Sequence, residues 1–169
     1  MKKTKIDKYH LFLAGEYRVA SGLLKRGINA TVTFGHAKSA DVIAYGSNRK
    51  AAVIEVKTSQ QKNFVTSLYN KYKTPEYEHP DFWVLFQIKV GPESNFTERF
   101  FILSHKELSI IQARRNRAYH VKRGDVTEKQ RLSWEYHYRL SQNGVDNVLL
   151  TDVEESKDKW DKIVKACNQ

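Results

Sequence analysis

Three charged side chains near the middle of the chain are spaced so that they could act together on one face of a hairpin. Residues 40–59 read as two apolar strands joined by a turn around Asn48. If the strands pair there, Asp41 lies opposite Glu55, and Lys57 shares the face of Glu55 because side chains alternate along a strand. Two such carboxylates repel each other unless a cation lies between them. Oxygen ligands on a half-open site suit Mg²⁺.

The same pattern also fits an ordinary surface hairpin whose charges are only solvated, as charged faces usually are. A carboxylate on the first predicted helix, residues 8–27, favours a chemical role. Glu16 lies on the buried side of this helix, where a carboxylate is costly unless it is paired, hydrogen-bonded or bound to metal. A salt bridge to a lysine, or a position at the solvent-exposed edge of the helix's apolar stripe, would also satisfy this carboxylate. The apolar stripe consists of Phe12, Val19, Ala20 and Leu23.

Composition limits the partners. The chain has 169 residues, 40% of them hydrophobic, and a formal net charge of +10, which indicates an anionic partner and nucleic acid before membrane. Residues 1–144 hold 25 basic and 13 acidic residues, so the positive charge belongs to this part and not to the C-terminal end. No apolar run approaches the roughly 20 residues of a membrane span. The lone Cys167 excludes an intrachain disulfide and a cysteine-based zinc site, which fits a reducing cytoplasm.

The rest of the pattern predicts further strands and helices. Residues 81–90 form the longest apolar run, which indicates a strand buried on both faces and central in the sheet. Ser104 and Glu107 form a capping box that opens a helix to about residue 118. The other predicted elements are strands over 28–34, 41–45, 51–56 and 98–103, a helix over 62–72, a loop over 73–80 and a last helix from 151 onward.

A basic segment follows the capping box. Its cations could follow a nucleic-acid backbone, and the alternative is a solvated helix end whose arginines favour the helix dipole. The residues concerned are Arg114, Arg115, Arg117, Lys122 and Arg123.

The order of these features resembles the PD-(D/E)xK nuclease superfamily. Its signature is an aspartate at a strand start followed by (Asp/Glu)-x-Lys on the next strand, and this chain offers Asp41 and Glu55-Val56-Lys57. Small members such as the archaeal-type Holliday junction resolvases also carry a glutamate on the first helix, the place of Glu16. The resemblance covers roughly residues 10–90. Ala40 stands where the proline of the family name would be, as in many members that lack it.

This resemblance implies an α/β fold: a restriction endonuclease-like three-layer α/β/α core with a mixed central β-sheet and additional C-terminal helices. We expect one nuclease-like domain over residues 1–169. Its core would span about 8–103, and a helical extension would span about 104–169.

The resemblance also implies roles. Asp41 and Glu55 would bind Mg²⁺, for which Mn²⁺ would substitute, with the Val56 backbone carbonyl as third ligand. Lys57 would orient the attacking water and stabilise developing charge. Glu16 would hold a metal-bound water or a second ion. Residues that would contact nucleic acid near the site are Lys38, Thr58, Ser59 and Gln60.

The implied activity is hydrolysis of phosphodiester bonds in DNA by a cytoplasmic endonuclease, of a branched-DNA, restriction or repair type. A catalytically idle nuclease-fold protein that binds nucleic acid or serves as a scaffold is the alternative, and RNA as the substrate stays open. A homodimer is expected only by analogy with enzymes that cut two strands. No small-molecule cofactor and no membrane partner are expected.

Overall fold

The computed structural model describes residues 6–33, 40–72, 78–92, 95–142 and 146–169 and shows an α/β protein with a mixed five-strand sheet flanked by helices. Neighbouring strands of this sheet are antiparallel, except for the parallel central pair β3 and β5. A second sheet pairs β4 with β7. The strands are Asn29–Val32 (β1), Val42–Tyr45 (β2), Ala51–Ser59 (β3), Asn63–Val65 (β4), Phe82–Val90 (β5), Phe96–Ser104 (β6) and Asn147–Leu149 (β7), and the large sheet has the order β1-β2-β3-β5-β6.

Helices cover both faces of the large sheet. They are α1 (Lys8–Leu24), α2 (Leu68–Lys71), α3 (His105–Arg123), α4 (Trp134–Ser141), α5 (Leu150–Val153) and α6 (Asp161–Asn168). A 3₁₀ turn at Glu154–Ser156 lies between α5 and α6. None of the described helices is long and apolar enough to cross a membrane.

Alternation along β3 and β5 divides the core in two. Ile54, Val56 and Val84 pack with α1 and α6 on one side, which we call the α1 face. Trp83 and Leu85 point to the other side, the α3 face, and pack with residues of α2 and α3. Side chains that follow one another on a strand therefore serve different cores, as the apolar run over residues 81–90 predicts for a strand buried on both faces.

The hairpin register predicted around Asn48 is confirmed. Tyr45 pairs with Ala51 and Ile43 with Val53, and the ladder ends where Val42 pairs with Ile54. The capping box at the start of α3 is also confirmed, because Ser104 and Glu107 each bond the other's backbone N–H.

The prediction of a helix over residues 62–72 is wrong for most of its length. Asn63–Val65 forms β4, in which Phe64 is buried and Val65 is 63% exposed, so the side chains alternate as in a strand. Pairing with β7, more than eighty residues later, decides this outcome over the local helical spacing. Only Leu68–Lys71 is helical.

Three smaller predictions about helices also change. The third helix continues to Arg123 and ends at Gly124, whose φ of +81° suits glycine. The helix predicted from residue 151 is divided into α5, the 3₁₀ turn and α6, and α4 was not predicted. In α1, Phe12 is 50% exposed, and Leu11 is buried in its place against Phe86 and Ile88.

The chain after residue 104 contributes to both cores. Trp160, Ile163 and Cys167 belong to the same buried cluster as Ile54 of β3. On the α3 face, the β4–β7 pair places Val148 beside Phe64. The C-terminal part thus holds the sheet and the α2 region together.

Gly15 sets the distance between α1 and the sheet. A Cβ atom at this position would lie 1.9 Å from the Thr58 hydroxyl and 3.1 Å from the Thr58 Cβ. Only glycine lets α1 lie this close to β3, and the next residue, Glu16, is thereby held close to the strand.

We therefore expect Gly15→Ala to destabilise the protein by about 1–3 kcal/mol, the usual cost of overpacking a core. Thr58→Ala removes the nearest clashing atom, so the double variant Gly15→Ala/Thr58→Ala should recover much of this loss. Urea unfolding of the four proteins of this cycle measures the coupling. Strictly additive effects of the two substitutions would contradict the close packing described.

Candidate active site

Asp41 lies directly before the first residue of β2, where β2 and β3 separate. Its backbone N–H donates to the Ile54 carbonyl at 3.0 Å, and its Oδ2 accepts a hydrogen bond from the Val56 N–H at 2.7 Å. The side-chain carboxylate thus takes the place of a backbone hydrogen bond between the two strands, just beyond their last pair, Val42–Ile54. Both ends of the residue are fixed to β3, so its position is set by the hairpin.

The Glu55 carboxylate is buried and held by three donors. Lys57 Nζ lies 2.6 Å and Lys71 Nζ 2.8 Å from Oε1, and the Tyr72 hydroxyl donates to Oε2 at 2.7 Å. Burial by itself would raise the pKa of Glu55. The nearby Lys57 charge, together with the hydrogen bonds from Lys57, Lys71 and Tyr72, outweighs it and holds the pKa below its usual value.

Glu16 and Asp41 have the opposite character. Burial, then the negative charge of Asp41, raises the pKa of Glu16 from its ordinary 4.5 to about 7, and Lys57 offsets only part of this. Burial also raises the pKa of Asp41; the Val56 N–H opposes the rise, and Glu55 adds to it. Asp41 and Lys57 thus act electrostatically on Glu16, and Glu55 and Lys57 act on Asp41, while neither Glu16 nor Asp41 forms an ion pair with a described residue.

The donor set fits a hard divalent cation only in part. Asp41 and Glu16 offer carboxylate oxygens in a region with excess negative charge, which suits Mg²⁺. Glu55 already accepts from three donors, two of them lysines on Oε1, so a cation at this carboxylate would meet their positive charge. Within the described ranges, no three His, Cys, Asp or Glu side chains are already gathered as a metal cluster. The residues thus fit a cation that Asp41 and Glu16 would hold first.

Two residues of this site, Lys71 and Tyr72, were missed by sequence reasoning. Both come from the end of α2, in the segment wrongly predicted as one long helix. Tyr72 is fully buried, and its carbonyl accepts a hydrogen bond from the Trp134 indole at 2.6 Å. Nothing in the local pattern links them to Glu55, because the contact depends on tertiary packing between residues 16 and 17 positions apart.

Gln87 is a third residue that was missed, although the sequence carried a signal. It is the one polar side chain in the otherwise apolar run over residues 82–88 of β5, and it is fully buried. It pairs in register with Ser59, and its Nε2 donates to the Gln61 carbonyl at 2.7 Å. Its Oε1 has no hydrogen-bond partner in the part of the chain that the structure describes. The end of β3 beyond Lys57 is therefore lined by polar atoms.

The residues near the site that were predicted to contact nucleic acid lie in different environments. The Thr58 hydroxyl is buried against Gly15, so it does not face an open surface. Ser59 Oγ accepts a hydrogen bond from the Gln61 N–H at 3.0 Å, and Gln60 is half-buried. Lys38 lies outside the described residues.

The basic segment of α3 borders an open cavity of about 730 Å³, in which Arg114, Arg115 and Lys122 face Asn147 and Asp152. The Arg115 side chain donates to Asn147 at 3.0 Å and to Asp152 at 3.4 Å, so it is already engaged within the protein.

Two more cations of this segment are also engaged. Arg117 donates to the Glu128 carbonyl at 2.8 Å, and Arg123 lies 3.2 Å from Asp125. Arg114 and Lys122 form no ion pair with any described residue and are the cations best placed to meet an external anion.

Comparison with known proteins adds no identification: no protein-family model matches the chain, and no curated protein matches it in sequence.

Tyr72→Phe tests how Glu55 is held. Loss of a buried hydrogen bond to a charged acceptor costs about 1.5–3 kcal/mol, so the variant should unfold at correspondingly lower urea concentration. Tyr69→Phe is the matched control, since Tyr69 is equally buried but its hydroxyl makes only a 3.4 Å contact to the Ser109 carbonyl. Equal stability losses in the two variants would contradict a special role for Tyr72.

Glu16 should give the protein a characteristic pH dependence. An acid whose pKa is raised in the folded state binds protons more readily there, so stability falls as the pH rises from about 4.5 to about 7. Glu16→Gln removes this penalty, and its gain in melting temperature over wild type should be larger at pH 8 than at pH 5 in EDTA. The exposed Glu128→Gln is the control. A gain for Glu16→Gln that does not vary with pH would refute the environment assigned to Glu16.

Proposed function

We propose that this protein is a metal-dependent nuclease with a restriction endonuclease-like core, which hydrolyses phosphodiester bonds in DNA. One observation carries the proposal: Glu16 and Asp41 share excess negative charge beside Lys57, although the chain as a whole is strongly basic. Burial raises the pKa of both acids, and the charge of Asp41 raises that of Glu16 further, which is more typical of a site that takes up a cation than of a solvated surface.

In this function each side chain has a separate task. A bound Mg²⁺ or Mn²⁺ would polarise the scissile phosphate and lower the pKa of a bound water. Asp41, anchored by the Val56 N–H, and Glu16 would hold the cation. Lys57 would orient the water and stabilise the charge that develops on the phosphate, as its position on the strand face of Glu55 allows.

Binding to DNA would rest on the positive body of the chain. The net charge of +10 favours a polyanion, and phosphate contacts supply most of the affinity of such proteins. Arg114 and Lys122 at the α3 cavity are the best candidates for contacts away from the site.

A catalytically idle nuclease-fold protein is the second candidate, and a specific observation favours it. Glu55 is bound by Lys57, Lys71 and Tyr72 in a way that satisfies its charge without any cation. Under this alternative the protein would bind nucleic acid, and the acids would be a remnant of a metal site.

Cleavage assays separate the two candidates. Incubation with supercoiled, linear, branched and single-stranded DNA, and with RNA, should give Mg²⁺-dependent cleavage of at least one DNA. Lys57→Ala should abolish cleavage while affinity for DNA stays within about twofold, because phosphate contacts elsewhere dominate binding. Lys50→Ala, at the exposed hairpin turn, is the control and should cut as wild type does. Undiminished cleavage by Lys57→Ala would exclude the assigned site, and binding without any cleavage would favour the idle protein.

Thermal melts test cation binding without reference to activity. A cation that binds only the folded state stabilises it by about 2.7 kcal/mol at a free concentration one hundred times its dissociation constant. Asp41→Asn removes a ligand and a negative charge but can still accept the Val56 hydrogen bond. It should therefore melt higher than wild type in EDTA and respond less to Mg²⁺ and Mn²⁺. Identical metal-induced shifts in both proteins would place the cation elsewhere.

A further inference from the structure

Helix α1 exposes aromatic side chains that its packing does not use. Tyr9 is 68% exposed and Phe12 is 50% exposed, and Tyr17 is also exposed on this helix. Leu11, not Phe12, provides the contact with Phe86 and Ile88 in the core. Isolated exposed apolar residues are common, whereas exposed apolar side chains that share one side of a helix, as Tyr9 and Phe12 do, are a candidate interaction surface.

These aromatic side chains lead towards the candidate site. Residues three and four apart lie on the same side of a helix, so Tyr9, Phe12 and Glu16 follow one another along one side of α1. Phe12 stands about one helical turn before Glu16, a rise of roughly 5–6 Å.

Charge complementarity selects the occupant of this surface. The first 144 residues carry 25 basic against 13 acidic side chains, and beside Tyr9 the start of α1 exposes both the basic Lys8 and the acidic Asp7. A second copy of the chain would bring the same positive charge against itself, and a few aromatic rings fall far short of the area that a stable dimer buries. A polyanion with flat apolar groups satisfies both the charge and the rings.

We propose that Tyr9 and Phe12 form a stacking platform for unpaired bases of a nucleic-acid strand whose phosphates run towards Glu16 and Lys57. The proposal rests on the proposed nuclease function and names its substrate class, a single-stranded segment or a strand splayed from a duplex. Stacking on aromatic side chains tolerates any sequence because each base offers a π-face, whereas bases within a duplex do not expose that face.

The test measures binding in EDTA, so that cleavage plays no part. Fluorescence anisotropy compares a labelled single-stranded oligodeoxynucleotide with the same sequence as a blunt duplex. Loss of the stacking of one base lowers the affinity roughly tenfold. We expect Phe12→Leu to weaken binding of the single strand by about that factor and to leave duplex binding unchanged. Phe12→Tyr, which keeps a ring, should retain the affinity of wild type.

Leu24→Ala is the matched control, because Leu24 is as exposed as Phe12 but lies three turns farther along α1. It should bind both forms of DNA as wild type does, and melting temperatures of all variants should be unchanged. Equal binding of the single strand by wild type and Phe12→Leu would overturn the proposal. An equal loss of affinity for the single strand and for the duplex would overturn it as well. A change in the oligomeric state of Phe12→Leu relative to wild type on gel filtration would also overturn it, because the surface would then contact a second copy of the chain.

The outcome is distinguishable from failure of the proposed function. If binding of the single strand depends on Phe12 but no DNA is cut with Mg²⁺, the stacking platform is supported and the nuclease proposal is refuted. If DNA is cut but Phe12→Leu binds and cuts single strands normally, the nuclease stands and the platform falls. A single-stranded RNA of the same sequence shows whether the platform discriminates between the two sugars, since stacking alone predicts similar losses for both.

Discussion

The buried charge of Glu55 is the constraint on which the arrangement of the site depends. A carboxylate taken out of water is costly unless charged and hydrogen-bonding partners surround it, and here Lys57, Lys71 and Tyr72 supply them. Two of the three donors come from the last residue of α2 and the residue after it, so the end of α2 must lie beside Glu55. The charge of one strand residue therefore determines where the segment after the hairpin can pack.

The other acids show how the same fold treats charge differently a few residues away. Asp41 is anchored by a backbone N–H but has no lysine of its own, and Glu16 has still less compensation. One carboxylate is thus neutralised by the protein, and two are left with negative charge to share. In the proposed function, this remaining charge on Glu16 and Asp41 would hold the cation.

The sequence correctly predicted those features of the fold that depend on residues close together in the chain. The hairpin register, the first helix and the capping box follow from alternation, spacing and turn residues within short windows. Val19, Ala20 and Leu23 of the predicted stripe are buried, and only Phe12 was misassigned, because the apolar Leu11 precedes it and the local pattern does not show which of the two meets Phe86 and Ile88. The segment at β4 was misassigned because its partner β7 is distant in sequence. Lys71 and Tyr72 could not be predicted for the same reason, since only tertiary packing brings them to Glu55.

The pairing of β4 with β7 has a consequence for how the protein is made. Asp146, which precedes β7, accepts a hydrogen bond from the Asn70 N–H at 3.0 Å, and its carbonyl accepts one from the Thr66 N–H at 3.0 Å. The start of α2 is therefore tied to residues synthesised about eighty positions later. A growing chain can form the hairpin early, but it cannot hold Lys71 against Glu55 until this distant segment has left the ribosome. Assembly of the site is thus coupled to synthesis of the segment that forms β7.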